Sequence, residues 1–201
     1  MKCCILLGKP NVGKTSFFLN FAEYLGITKC ILEFIDYQGM KTVKNYSLSM
    51  AKSHLISPSP FHTRDICKLT LYIPIYKGHS EFLLYDTGGL IDGISKDEGI
   101  RKSMAETLKY LYDSQIILHM IDASSIYKNQ INTLSEIDYQ LNQYGRSRGC
   151  YCILANKVDL KEGVGGLELL KKEFKDTYVI PTSSIKRIGF KEVKKFVSRN
   201  L

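Results

Sequence analysis

The sequence predicts an α/β fold with a mostly parallel sheet and helices on both faces. Three features carry that expectation: short apolar runs alternate with helical periodicities, most runs end in a polar or glycine-containing loop, and one pair of runs is joined without a helix. Residues 2–7 form the first run, followed by GKPNVGKTS at 8–16 and by KTSFFLNFAEYL, where Phe17, Phe18, Phe21 and Leu25 share one helical face. EFLLYD precedes TGGLIDG and a helix near 98–113, in which Ile100, Met104, Leu108 and Leu111 recur at three or four residues. SQIILHMID precedes a helix expected near 129–144, CYCILANKVD one near 165–174, and TYVIPTSS the last, at 189–199. RDICKLTLYIPIYKGHSEFLLYD reads as two strands turning at Lys77-Gly78, so one strand is expected to run antiparallel, at the sheet edge. Residues 27–62 stand outside the repeat: KCILEFI reads as an extra strand turning at YQGM, and SPSPFHT as extended, proline-punctuated chain.

Length and composition bound the answer. The 201 residues suit one domain, 1–201, with 27–62 as an insertion, and 44% apolar against 24% charged residues is an ordinary globular balance. No apolar run approaches the roughly 18 residues of a membrane-spanning helix, and MKCCILLG runs into a glycine loop without a cleavage site, so no transmembrane segment and a cytoplasmic location are expected. Cys3, Cys4, Cys30, Cys67, Cys150 and Cys152 lack the spacings of zinc or redox pairs. The net charge of +8 is uneven, with 13 Lys and Arg against 6 Asp and Glu in residues 145–201. That excess reads as solvated helix faces or as an electrostatic footprint for RNA or anionic lipid. No aromatic platform is interleaved with it, so base-specific readout is not indicated.

Four short segments carry chemistry. Gly8 and Gly13 bracket a G-x-x-x-x-G-K-[ST] spacing between an apolar strand and an amphipathic helix. Backbone N–H groups of residues 11–15, Asn11, Val12, Gly13, Lys14 and Thr15, can ring phosphate oxygens there, with Ser16 next in the same loop. The helix dipole adds to them, the Lys14 ammonium can reach β and γ phosphates, and the Thr15 hydroxyl can ligate Mg²⁺. Asp86, in DTGG at a strand's C-terminal end, can hold the Mg²⁺ shell, and Gly89 can bring its N–H to a γ phosphate. In NKVD, Asp159 can accept two hydrogen bonds from guanine, where adenine offers none, while Lys157 covers the base face and Asn156 braces the loop. At about 1.5–3 kcal/mol per charge-assisted bond, two such bonds separate GTP from ATP by roughly two to four orders of magnitude. The last loop, TSSIKRIGF, holds Ser183 and Ser184, and a backbone N–H near Ser184 can donate to guanine O6.

Taken in this order, Gly-x-Pro-Asn-Val-Gly-Lys-Thr, Asp-Thr-Gly-Gly-Leu, Asn-Lys-x-Asp and the Ser-Ser loop resemble the Era/Der-type (TrmE–Era–EngA-like) small GTPases over almost all of the chain except 27–62. The resemblance implies a P-loop NTPase G domain with a six-stranded sheet, one antiparallel edge strand, and GTP or GDP with Mg²⁺ at the strands' carboxyl ends. It matches FHTRD to the family's switch I, placing Thr63 on Mg²⁺ and the γ phosphate, with Thr42 and Thr28 as alternatives. Asn11 matches the asparagine that helps hold K⁺ against the phosphates in potassium-activated members, so Lys14, Asn11 and Thr63 are the expected catalytic residues and Asn11 a further metal ligand. Leu90 stands where a Ras-like chain has its water-orienting glutamine, so slow intrinsic hydrolysis is expected, and Arg64 is a second candidate for charge stabilisation in cis. The glycines of residues 86–99 suit a switch ordered by the γ phosphate. By analogy, ribosomal RNA or a ribonucleoprotein is the expected partner, and a nucleotide-dependent dimer is a further expectation. Two other functions compete: a low-turnover, guanine-nucleotide-dependent interaction module, and a small-molecule kinase, which leaves NKVD unexplained.

Overall fold

The computed structural model describes residues 1–57, 65–75, 78–129 and 133–201. Within these residues eight strands form one sheet: β1 (Lys2–Leu7), β2 (Lys29–Ile35), β3 (Lys41–Ser47), β4 (Ile66–Ile75), β5 (Gly78–Asp86), β6 (Ile116–Asp122), β7 (Tyr151–Asn156) and β8 (Val179–Pro181). Their order is β3-β2-β4-β5-β1-β6-β7-β8. The five strands from β5 to β8 in that order are mutually parallel, and β1 sits between β5 and β6.

The expected hairpin of β4 and β5 is present, pairing Cys67 with Asp86 through Ile75 with Gly78. Six strands with one antiparallel strand, at the edge, were expected; the sheet has eight, and its edge strand β3 does run antiparallel to the parallel set, as does β4 inside it. β4 is antiparallel to β5 but is not the edge, because β2 pairs on its far side and β3 then closes the sheet. KCILEFI is indeed a strand, turning near Tyr37–Gly39 into β3. Strand β3 has almost no buried position, so no period-two alternation announces it.

Among the described residues, seven α-helices flank the sheet: α1 (Lys14–Tyr24), α2 (Leu48–Leu55), α3 (Glu98–Asp113), α4 (Ala123–Asn129), α5 (Glu136–Arg148), α6 (Lys161–Glu173) and α7 (Phe190–Asn200). On one face, Phe17, Phe18 and Phe21 of α1, Leu48 and Ala51 of α2, and Phe190, Val193 and Val197 of α7 pack over alternate residues of the strands. Phe190 meets Phe17 edge-on at 5.0 Å, while Phe17 and Phe21 stack at 5.1 Å. Leu111 of α3, Ile126 of α4, Leu141 of α5 and Leu170 of α6 cover the other face. Two-sided coverage is why β1 and β7 read as unbroken apolar runs.

Helix boundaries depart from expectation in two places. Instead of one helix near 129–144 there are two, α4 starting directly at the end of β6 and α5 capped at Ser135. Asp122 closes the strand and starts α4, its Oδ1 accepting from Ser124 N–H at 3.0 Å and Ser125 N–H at 3.3 Å. Helix α6 begins at Lys161, four residues before its apolar period becomes legible. It lies close on its neighbours because a Cβ at Gly163 would strike the Lys157 carbonyl and one at Gly166 the Ala123 carbonyl. No helix of the described residues is long and apolar enough to cross a membrane.

Candidate nucleotide site

At the carboxyl ends of the parallel strands, the loops after β1, β5, β7 and β8 line one cavity of about 400 Å³. Its wall includes Asn11, Gly13, Lys14, Thr15, Ser16, Gly89, Asn156, Lys157, Asp159, Ser183 and Ser184. Eleven of the residues selected from sequence therefore share one space, although they come from opposite halves of the chain. Gly8 and Val12 lie in the same loop with Val12 buried, and Asp86 is buried beside Thr15. Thr63, with His62 and Arg64, lies outside the described residues.

The first loop is shaped by left-handed backbone at Gly8 (φ 140°), Asn11 (φ 61°) and Gly13 (φ 106°). Gly8 is held to glycine twice over, because a Cβ there would meet the carbonyl of Met120. Gly13 stands at the start of α1, with Phe17 N–H donating to its carbonyl at 2.9 Å. The Lys14 Nζ donates to the carbonyls of Lys9 at 2.8 Å and Gly8 at 3.0 Å. Leu90 N–H donates to the same Gly8 carbonyl at 3.2 Å, tying the β5 loop to the β1 loop. A Cβ at Gly89 would lie 2.5 Å from Pro10 Cγ, so the two loops meet backbone to ring.

Thr15 Oγ1 donates to Asp86 Oδ2 at 2.7 Å. Among the described residues Asp86 Oδ1 is buried without a hydrogen-bond partner, an acceptor left over beside a hydroxyl and a lysine. Burial pushes the Asp86 carboxyl up to about 6 against the pull of Thr15 and Lys14, and burial brings the Lys14 ammonium down to about 8 despite Asp86. Opposite shifts of this kind describe a cation and an anion buried together. The surplus carboxylate oxygen and the hydroxyl beside it are oxygen donors of the type that Mg²⁺ takes.

Asn156 joins the two ends of the cavity. Its Nδ2 donates to the Val12 carbonyl at 2.8 Å, and its Oδ1 accepts from Ser184 N–H at 2.9 Å and Ser184 Oγ at 3.1 Å. Thr182 Oγ1 adds a fourth, longer bond to Oδ1 at 3.5 Å, so the Asn156 amide braces the two loops against each other. Ser184 N–H itself is spent on Asn156 rather than aimed at the cavity, which leaves a neighbouring N–H for the donor expected near Ser184. Lys157, at φ 65°, turns its ammonium onto Asp122 Oδ2 at 2.6 Å and lays its stem along the cavity. Asp159 is exposed at the rim.

Among the lining residues not singled out from the sequence are Leu55, Ile56 and Ser57, at the end of α2. Helix α2 is tied to α1 by Lys52 Nζ and Glu23 Oε2 at 2.7 Å, and Glu23 also pairs with Arg187 of the last loop. Leu55 and Thr15 are shared with a second cavity of about 290 Å³, bounded by Thr42 and Lys44 of β3 and by Asp86. Thr42 thus stands near the Asp86 end, whereas Thr28 lines neither cavity. Leu90 is 1% exposed and packed in the core, so its side chain does not face the cavity.

Known proteins agree with this architecture. A family model described as 50S ribosome-binding GTPase matches residues 3–157. GTPase Obg of Lachnoclostridium phytofermentans is 26% identical over 201 residues, covering 96% of this chain and 39% of that protein. GTPase Obg of Staphylococcus epidermidis is 32% identical over 113 residues, covering 54% and 26%. The chain spans well under half the length of these curated relatives. Among solved structures, a GDP·AlF4⁻-bound Era of Aquifex aeolicus superposes with a TM-score of 0.69 at 20% identity, covering 100% of this chain and 57% of that one. The FeoB G-domain of Methanococcus jannaschii gives 0.56 at 19%, covering 100% and 98%. An Era complex with MgGDPNP and nucleotides 1506–1542 of 16S ribosomal RNA gives 0.69 at 19%, covering 100% and 56%. These structural likenesses bear on the fold, and the fold is that of a P-loop GTPase. With the family model spanning most of its length, the chain belongs to the 50S ribosome-binding GTPase family.

Proposed function

We propose that this chain is an Era-type G domain that binds GTP and GDP with Mg²⁺ and hydrolyses GTP as a conformational switch. The observation that carries the reading is Asn156, which ties the phosphate loop at Val12 to the base loop at Ser184 and so sets Lys14 and Asp159 on one cavity. Lys14 leaves the Gly8 and Lys9 carbonyls for the β and γ phosphates, and the backbone N–H groups of residues 11–15 receive the rest of the phosphate charge. Thr15 and Asp86 hold Mg²⁺, which neutralises charge on the phosphate oxygens. Gly89 offers its N–H to the γ phosphate. Asp159 reads guanine, and the O6 donor is assigned to Ile185 N–H, since Ser184 N–H is engaged.

Because the Leu90 side chain is buried, no water-orienting group is supplied at that position. Asn11 is assigned to a K⁺ ion that stabilises charge between β and γ phosphates, and Thr63 to switch I, with residues 27–62 as an insertion ahead of it. Lys186, Lys191, Lys195 and Arg199 are exposed on the last loop and α7, and supply the surface for ribosomal RNA. That partner is supported by the 16S ribosomal RNA held by the Era structure. Nucleotide titration tests the core of the reading: GTP and GDP bind at least about a hundredfold tighter than ATP, and equal affinities overturn it. Hydrolysis in KCl against NaCl tests Asn11, with equal rates removing the K⁺ assignment. The buried Leu90 favours one competitor, a low-turnover module, which a single-turnover rate equal to that of free GTP would support.

A further inference from the structure

A chain of polar groups runs from half-buried Lys9 in the phosphate loop into the buried interior, and none of its members belongs to the nucleotide contacts above. The Lys9 Nζ pairs with Asp138 Oδ2 at 2.9 Å and donates to the Thr133 carbonyl at 2.7 Å. Asp138, 2% exposed in the first turn of α5, also accepts from Ser135 N–H at 3.1 Å. Its other oxygen faces His119 Nε2 at 3.2 Å, and His119 Nδ1 lies 2.8 Å from the Tyr151 hydroxyl. Burial would raise the Asp138 carboxyl, but His119 and Lys9 hold it at about 2, so it stays an acceptor with both oxygens used.

Lys9 is therefore pinned twice. Its side chain is fixed by Asp138, and its carbonyl receives Lys14 Nζ. The next residue is Pro10, whose ring abuts Gly89. We propose that Lys9 and Asp138 are positioning residues for hydrolysis: the pair presets the leading half of the phosphate loop so that Lys14 is presented and Pro10 seats Gly89 against the γ phosphate. A diphosphate keeps the N–H groups of residues 11–15 and the β-phosphate share of Lys14 but lacks the γ phosphate that Lys14 and Gly89 both meet, so the pair acts more strongly on the triphosphate state. The inference rests on the GTPase reading.

The test uses Lys9→Met, Asp138→Asn, the double variant and Lys9→Arg in the full chain, with GDP affinity, GTP-analogue affinity, kcat and Tm measured for each. A misplaced loop of this kind costs about tenfold or more in rate. Lys9→Met is expected to lower kcat about tenfold and to weaken the GTP analogue about tenfold while GDP weakens by no more than about threefold, and Lys9→Arg to restore most of the loss. The double variant should be no worse than the poorer single one. Lys9 has a partly exposed side chain, so its variants fold even where Asp138→Asn does not. Equal weakening of GDP and the analogue, a lower Tm with unchanged kcat, or multiplying effects in the double variant would each overturn the proposal. Failure of the wild-type chain to hydrolyse GTP would instead overturn the reading beneath it.

Discussion

Replacing Asn156 with alanine separates structure from ligand binding at the centre of the site. The residue is 1% exposed, and its amide satisfies the Val12 carbonyl and the Ser184 N–H, backbone groups of two loops that meet here. The Ser184 hydroxyl keeps a second partner in the Gly13 carbonyl at 3.3 Å, so it adds little to the loss. Each stranded buried group costs about 1–3 kcal/mol, and water entering from the cavity relieves part of it, so about 2–3 kcal/mol is expected without nucleotide. For a domain of this size that lowers Tm by roughly 5–10 °C. Asn156→Asp keeps the acceptor for Ser184 but sets a carboxylate against the Val12 carbonyl, and is expected to cost at least as much. Urea unfolding of the nucleotide-free proteins measures both. A nucleotide-free stability within about 0.5 kcal/mol of wild type, with only GDP affinity reduced, would refute the reasoning, because it would mean that Asn156 matters to the ligand and not to the meeting of the loops.

Three further outcomes follow from particular contacts. Asp138 has a folded pKa of about 2, depressed from 3.8, so its contribution is present above about pH 4 and is lost as pH falls through about 2. The stability gap between wild type and Asp138→Asn, measured by urea unfolding, should therefore shrink by about 2 kcal/mol between pH 5 and pH 2, and a gap independent of pH would refute the ion pair. Gly89→Ala places a methyl carbon against the Pro10 ring and should reduce GTP hydrolysis by at least about tenfold while GDP still binds, as a coupled phosphate-release assay and a GDP titration would report. Ile56→Ser removes apolar cover from the cavity wall at a position that is 37% exposed, so release of a fluorescent GDP analogue should quicken by about three- to tenfold with Tm nearly unchanged.

The elements around the nucleotide cavity were legible because each couples a buried strand to a loop whose chemistry needs particular residues. The Gly8 to Thr15 spacing, the aspartate ending β5 and the Asn-Lys-x-Asp after β7 all stand where expected. Residues 29–57 were legible only in part, since β2 shows its apolar run, but β3 lies open to solvent and α2 buries only Leu48 and Ala51. Without a strong period there was no signal that Leu55–Ser57 would reach the cavity. Helix α4 was lost because its few residues follow β6 without a loop. The Lys9–Asp138 pair had no local mark at all: it exists only because the fold brings the loop after β1 against the first turn of α5.

The close seating of α6 has a consequence for how the guanine end is made. Three glycines, Gly163, Gly165 and Gly166, fall within its first half and deprive it of roughly 3 kcal/mol of intrinsic helix preference relative to alanine. Such a segment is a poor helix in isolation and becomes one by being pressed onto the Lys157 and Ala123 backbones and the Tyr127 ring. The scaffold behind Asp159 is thus assembled from outside inward, and the usual remedy for a weak helix, glycine to alanine, would here wedge it away from the loop it supports.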